Sequence, residues 1–296
     1  MSRARLRRAG LGLSTLLGIR PGGFLIPYRH AGAARAEGYP ALRPIFVEAE
    51  PAFRAVLAAI EAHAADLDRI RAGGPGLVGE RPARFTQDWF PRLDAAAAYA
   101  LVRRERPARI VEIGSGHSTR FLAQAVRDGG LPTAITCIDP APRAPLAGLG
   151  LRHEARLFGP ADAEAAASLA PGDVLFIDSS HVAMPGTDVD RLLLDVLPRL
   201  ASGVIVHLHD VFLPDAYPES WAWRGYNEQL MVGALLQGGG YAPLFSSRVV
   251  SRWPLGGVLA RLPLPPGAFE TSLWLRKRRG APAGSIESER SREAAS

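Results

Sequence analysis

Lysine and cysteine are almost missing from this chain: each occurs once, as Lys277 and Cys137. One cysteine cannot close an intramolecular disulfide or build a cysteine-rich zinc site, so a reducing compartment, the cytoplasm, is expected. Cys137 lies in an apolar run and reads as a buried strand residue. With one lysine, the 35 basic residues are nearly all arginine, and the 31 glycines and 25 prolines beside them point to coding in a GC-rich genome. The net charge of +6 and the pI near 10.1 raise the question of nucleic acid. No recognition motif or basic-aromatic platform accompanies the charge, so nucleic acid is not expected as a partner. Long apolar runs are also lacking; none approaches the ~20 residues needed to cross a bilayer. The opening residues 1–19 join a basic front to a short apolar patch broken by glycines. Without a small-x-small cleavage site this is a poor signal peptide. It would support loose contact with a membrane surface but no stable insertion.

What is present is enough for one full core. An apolar content of 47% and a charged content of 22% are ordinary for a globular protein. Residues 1–45, rich in Arg, Gly and Pro, read as a flexible basic arm. Residues 46–106 read as a helical N-terminal extension: Phe53, Val56, Leu57, Ile60 and Leu67 recur at helical spacing over 51–71. A second helix is expected over 91–106. From 107 to 279 strands and helices alternate, with strands at 109–113, 134–138, 151–157, 173–177 and 203–208. Further strands are expected near 242–250 and 256–262. The helices between them are expected at 118–128, 161–169, 186–199 and 225–237. This alternation predicts an α/β domain with a mostly parallel sheet covered on both faces. Residues 280–296 read as a disordered tail.

The most informative stretch is Arg109-Ile110-Val111-Glu112-Ile113-Gly114-Ser115-Gly116-His117-Ser118-Thr119-Arg120. A short strand opens through two glycines into a helix, which brings backbone N–H groups and a helix N-terminus to a ligand. A carboxylate at Glu112 would repel a pyrophosphate and attract the ammonium and sulfonium of S-adenosylmethionine. The third glycine of a dinucleotide fingerprint is replaced by Thr119. An NAD-dependent oxidoreductase is therefore the weaker alternative.

Ligands of open α/β sheets lie beyond the carboxyl ends of the strands, and four successive strand ends here carry Glu112, Asp139, Asp178 and His209-Asp210. Asp139 stands a little over twenty residues past the glycine turn, a spacing that suits a carboxylate accepting ribose hydroxyls; the alternative is an Asp-Pro turn opener. Asp178 is followed by His181, an imidazole suited to accept a proton near neutral pH, unless it is a surface loop histidine. His209 and Asp210 can meet Asp178 across neighbouring strands, either to hold a divalent cation or to tie two loops together. His207, deeper in its strand, reads as a core histidine. A metal-dependent oxygenase or hydrolase using His207, His209 and Asp210 stays open, as does a non-catalytic donor-binding protein. Downstream, the run from Phe212 to Trp223 and then Tyr226-Asn227-Glu228-Gln229 is dense in aromatics. It reads as an acceptor wall offering Tyr217, Trp221, Tyr226 and Asn227, or as plain packing.

Taken together, residues 107–262 resemble the class I S-adenosylmethionine-dependent methyltransferases. Val111-Glu112-Ile113-Gly114-Ser115-Gly116 is similar to the family's first motif and Ile138-Asp139 to its ribose-binding acid. Asp173 to Asp178 and Gly203 to Asp210 resemble its fourth- and fifth-strand motifs. The resemblance implies a Rossmann-like methyltransferase fold with a mostly parallel seven-stranded sheet. Donor binding would fall to Glu112, Gly114, Ser115, Gly116, Ser118 and Asp139. Asp178 with His209-Asp210 resembles the metal-dependent catechol and macrocin O-methyltransferase branch, which implies Asp178, His209 and Asp210 as ligands of a divalent metal. His209 is a departure, since magnesium favours oxygen donors, and manganese, iron or zinc then enter. That branch places a lysine base three residues after its fourth-strand acid; here His181 holds that position, so His181 and Asp178 are the catalytic candidates. The string His207 to Pro214, with the later Asn227-Glu228-Gln229, also resembles a group of bacterial methyltransferase-like proteins. The implied activity is methyl transfer to a small-molecule or sugar acceptor, on oxygen, and a homodimer is compatible with it.

Overall fold

The computed structural model describes residues 3–20, 22–24 and 26–278; the tail expected at 280–296 lies outside them. The arm contains a helix, α1 (Arg3–Leu16), and two short 3-10 turns, Ala31–Ala33 and Pro40–Leu42. Then come α2 (Arg43–Glu48), α3 (Glu50–Ala62), α4 (Ala64–Arg71) and α5 (Arg92–Glu105). The helix expected over 51–71 is thus two helices, interrupted at His63, which leaves helical geometry with φ −109° and ψ 22°. The apolar spacing runs unbroken through this corner because Phe53, Val56, Ile60, Leu67 and Ile70 all still reach the core.

The α/β unit follows: β1 (Arg109–Ile113), α6 (His117–Asp128), β2 (Ala134–Ile138), β3 (Arg152–Glu154), α7 (Pro160–Ala167) and β4 (Val174–Ile177). Helix α8 (Asp188–Arg191) runs through a π-type turn at Leu192–Val196 into α9 (Leu197–Arg199) and leads to β5 (Ile205–Leu208). A 3-10 turn (Glu219–Arg224), α10 (Glu228–Gln237), β6 (Tyr241–Ser246), α11 (Ser247–Val250) and β7 (Leu273–Lys277) complete it. The sheet has the order β3-β2-β1-β4-β5-β7-β6. It is parallel through β5, and β7 runs antiparallel to both β5 and β6. This is the Rossmann-like, mostly parallel seven-stranded sheet that the resemblance implied.

Two expected strands are corrected. Residues 247–250 are helical, because the Ser246 side chain accepts from the Val249 N–H and caps a turn. Residues 256–262 form turns, and the last strand is Leu273–Lys277 instead. Its Leu273, Trp274 and Leu275 are buried, so the strand shows no alternation and its basic end reads like a tail. Lys277 is itself buried, its ammonium donating to the Leu197 carbonyl at 2.8 Å and lying over the Tyr241 ring.

β4 and β5 are buried throughout, as expected for central strands covered on both faces. The starts of β1 and β4 are locked together: Asp173 accepts from the Arg109 and Ala170 backbone N–H groups and pairs with the Arg109 side chain. The opposite, carboxyl ends are left to the polar residues.

Candidate active site

At the end of β1 the chain turns through Gly114, whose φ of +76° belongs to the left-handed region. A Cβ there would lie 1.9 Å from the Asp178 carbonyl oxygen, so the glycine lets the ends of β1 and β4 close on each other. Gly116 then caps helix α6, its N–H donating to the Thr119 hydroxyl. The residue that replaces a dinucleotide fingerprint's third glycine is therefore a capping residue.

Asp139 closes the turn from the β2 side. One carboxylate oxygen accepts from the Ser115 N–H at 2.7 Å and the Ser115 hydroxyl at 3.2 Å; the other accepts from the Ala141 N–H at 2.7 Å. It remains half-buried and lines a cavity of about 250 Å³ with Ser115, Leu157, Phe158, Asp178 and Ser179. A carboxylate with lone pairs left over, facing an apolar pair, suits a nucleoside.

Glu112 is placed differently from the charge argument. Its side chain is fully buried, accepting from the Ser118 hydroxyl at 2.7 Å and from the Cys137 thiol at 3.1 Å, and it lines neither cavity described here. Burial pushes its pKa up to about 7, against the opposing pull of Ser118, Thr119 and Cys137. It acts behind the turn, fastening Ser118 in the first turn of α6.

A second cavity, of about 230 Å³, adjoins the first and shares Ser115, Arg143 and Asp178 with it. His181 and Asp210 stand in its wall, and both hold positive φ, 60° and 55°. Non-glycine residues take that conformation at a cost, and two such residues meet here. The His181 Nε2 faces Asp178 at 3.2 Å and Asp210 at 3.5 Å, while its Nδ1 faces Glu228 at 2.9 Å. Both ring nitrogens thus point at carboxylates, which only the doubly protonated ring satisfies. Burial alone would lower its pKa. The hydrogen bonds to Asp178 and Glu228 and the charge of Asp210 outweigh that and hold it well above the ordinary histidine value. Asp178 is held well below the ordinary carboxylate range: burial would raise it, but His209, His181 and Arg143 prevail.

The residues expected to hold a metal do not form a cation site. Among the described residues no group of three His, Cys, Asp or Glu side chains is arranged to hold an ion. The imidazole of His181 fills the space between Asp178 and Asp210 and presents an N–H there, not a lone pair. His209 turns its Nε2 to the Trp89 carbonyl at 3.0 Å, so that nitrogen donates as well. This donor set does not fit a divalent cation. His207, fully buried, stacks on Phe176 at 3.7 Å and bonds Ser272 at 2.9 Å, as a core histidine does.

The aromatic loop divides by role. Trp221 lines the second cavity, and Tyr226 lies 4.6 Å from the His181 ring. Tyr217 is packed behind them, against Phe212 and Tyr226. Asn227 is a brace: its side chain accepts from the Ala183 N–H and donates to the Ala183 carbonyl. Its neighbours act likewise, Glu228 on His181 and Gln229 on the Phe212 N–H.

Several wall residues escaped sequence reasoning: Trp89 and Phe90, Arg143, Arg224 and Phe269. Arg143 stacks on Trp89 at 4.1 Å, and Arg224 on Trp221 at 4.0 Å. Arg224, next to the aromatic run, was the one adjacent signal. Trp89 comes from the segment before α5, so the helical extension supplies part of the wall.

Residues 111–211, about a third of the chain, match a family model described as Methyltransferase domain. The match falls on the strands and turns that carry the resemblance. No curated protein matches the chain. Among solved structures the chain is similar to the SAH-bound methyltransferase PaMTH1 of Podospora anserina, at 18% identity over 87% of this chain and 100% of that one, TM-score 0.40. It is similar to the MycE methyltransferase of the mycinamycin biosynthetic pathway, in complex with Mg, SAH and mycinamycin VI, at 16% identity over 62% and 49%, TM-score 0.34. It is also similar to the [4+2]-cyclase SpnF, at 19% identity over 74% and 94%, TM-score 0.34.

Proposed function

We propose that the protein transfers a methyl group from S-adenosylmethionine to a hydroxyl oxygen of a small acceptor. The observation that carries this reading is the pair of adjoining cavities. One is walled by Asp139 and the glycine turn and the other by His181, with Asp178 in both. In this reading the nucleoside lies against Asp139, Leu157 and Phe158, and the methionyl part runs past Ser115 and Gly116 toward Asp178. The acceptor occupies the second cavity.

Methyl transfer is an in-line displacement: the acceptor oxygen forms the new bond to carbon as the carbon–sulfur bond breaks, leaving S-adenosylhomocysteine. Alignment supplies much of the acceleration. The acceptor's proton becomes strongly acidic as the oxygen is methylated, so a weak base suffices, and it passes to a carboxylate oxygen of Asp178. His181 orients that carboxylate through Nε2, and Glu228 fixes the ring through Nδ1. No step is assigned to a metal, because the donor set does not fit one.

The test is calorimetry with S-adenosylhomocysteine and with NADH, followed by methyl transfer from labelled donor to a panel of hydroxylated acceptors. Binding of S-adenosylhomocysteine with no response to NADH is the expected result. Binding of NADH alone would refute the reading in favour of an oxidoreductase.

A further inference from the structure

Arg224 is held in a way that methyl transfer does not require. It ends the 3-10 turn Glu219–Arg224, and Gly225 follows with φ +69°. Its guanidinium lies over the Trp221 ring at 4.0 Å and 5.3 Å from the Tyr226 ring centre. Trp221 is fixed edge-to-face against Phe212 at 5.1 Å and Phe269 at 5.7 Å, so the indole is a platform for the cation. The only hydrogen bond of this guanidinium among the described residues is to the Tyr226 hydroxyl, at 3.2 Å. Its nearest carboxylate, Asp210, is 4.0 Å away. Asp210 is already faced by His181 at 3.5 Å and by the Thr271 hydroxyl at 3.3 Å. The Arg224 Nε is buried and has no hydrogen-bond partner.

A buried N–H without a partner costs about 1–3 kcal/mol, and buried donors are normally satisfied. Here the unsatisfied donor belongs to a residue of the second cavity's wall, where Arg143 on Trp89 supplies another guanidinium. The Nε–Nη2 edge of a guanidinium carries two parallel N–H bonds that match the two oxygens of a carboxylate, and the hydrogen bond that Arg224 makes through Nη1 leaves this edge unpartnered. We propose that the acceptor carries a carboxylate and that Arg224 is the residue that recognises it. This rests on the methyl-transfer reading in taking the second cavity as the acceptor's place.

The test pairs acids with neutral counterparts: 3,4-dihydroxybenzoate with catechol, and glucuronate with glucose, with glucose 6-phosphate as a phosphate probe. Each is titrated calorimetrically into protein saturated with S-adenosylhomocysteine, and into free protein. At least one acid is expected to bind tenfold or more tightly than its neutral partner, about 1.4 kcal/mol. Arg224→Gln is expected to abolish the difference, and Arg224→Lys to retain part of it, with S-adenosylhomocysteine affinity unchanged in both. Equal binding of acid and neutral members overturns the proposal, as does an acid preference that survives Arg224→Gln. Failure of both acids to bind at millimolar concentration overturns it too, and tighter binding of glucose 6-phosphate than of either acid overturns the carboxylate assignment. Failure of S-adenosylhomocysteine to bind counts against the donor reading separately, since the acid preference is also measured on free protein.

Discussion

Replacing Glu112 with glutamine separates a carboxyl group that braces the glycine turn from one that attracts the donor. The side chain is fully buried, with Ser118 and Cys137 donating to its two oxygens. Its pKa is about 7 in the folded chain against 4.5 for a free glutamate. That gap corresponds to roughly 3 kcal/mol, at about 1.36 kcal/mol per tenfold change in proton affinity. An acid whose folded pKa is raised contributes this stability fully below pH 4.5 and loses it as the pH climbs through about 7. Glutamine cannot ionise, but it gives up one of the two accepted hydrogen bonds, at a cost of about 1 kcal/mol. Glu112→Gln should therefore be the less stable form at pH 5 and the more stable at pH 8. The difference between the two proteins should swing by roughly 3 kcal/mol between those limits. Urea unfolding of both proteins across pH 5 to 8 measures it. Two parallel stability profiles would refute the burial argument. A fall in S-adenosylhomocysteine affinity beyond about tenfold in the variant, with the fold intact, would restore Glu112 as a direct donor contact.

Asp139→Ala should weaken S-adenosylhomocysteine binding roughly tenfold to a hundredfold, the scale of a charged hydrogen bond; unchanged affinity by calorimetry removes the ribose role. Gly114→Ala places a Cβ within 1.9 Å of the Asp178 carbonyl oxygen in a left-handed conformation, and should cost more than ~2 kcal/mol. A melting temperature equal to wild type would show that the two strand ends need not approach so closely. Glu228→Gln leaves the shape around His181 but removes the charge on Nδ1, and should lower kcat about tenfold with little change in acceptor KM. A rise in KM at constant kcat would make Glu228 a binding residue instead.

The α/β unit was legible through β5 because β1, β2, β4 and β5 are short, largely apolar runs with a polar residue at or just past the end, and helices recur among them. Asp139 and Asp178 line one cavity, and Asp178 and Asp210 line the one beside it. Legibility failed at β7, where Leu273, Trp274 and Leu275 are buried and a basic end disguises a strand as a tail. It failed at Glu112 in a subtler way. Sequence does not say whether a strand-end side chain points at the ligand or behind the turn, where burial raises its pKa. Arg143, Arg224 and Trp89 were missed because each reaches the cavity from a loop or from another element.

The change with most consequence concerns His181. Spacing alone made it a free imidazole near a metal; three carboxylates within 3.5 Å make it a cation. Together with the charge of His209, a cation there keeps Asp178 ionised, well below the usual carboxylate range, despite its burial. It also explains the backbone. His181 and Asp210 both hold positive φ, and relaxing either would separate an imidazolium from the carboxylates that balance it. The conformational cost of each residue, of order 1–3 kcal/mol, is offset by contacts that exist only while both are held. Strain and charge are thus coupled, and the coupling is anchored from α10. Glu228 holds the ring, and Asn227 and Gln229 pin the two loops that carry His181 and Asp210. The three consecutive side chains at the start of α10 therefore hold His181 and Asp210 in place relative to one another.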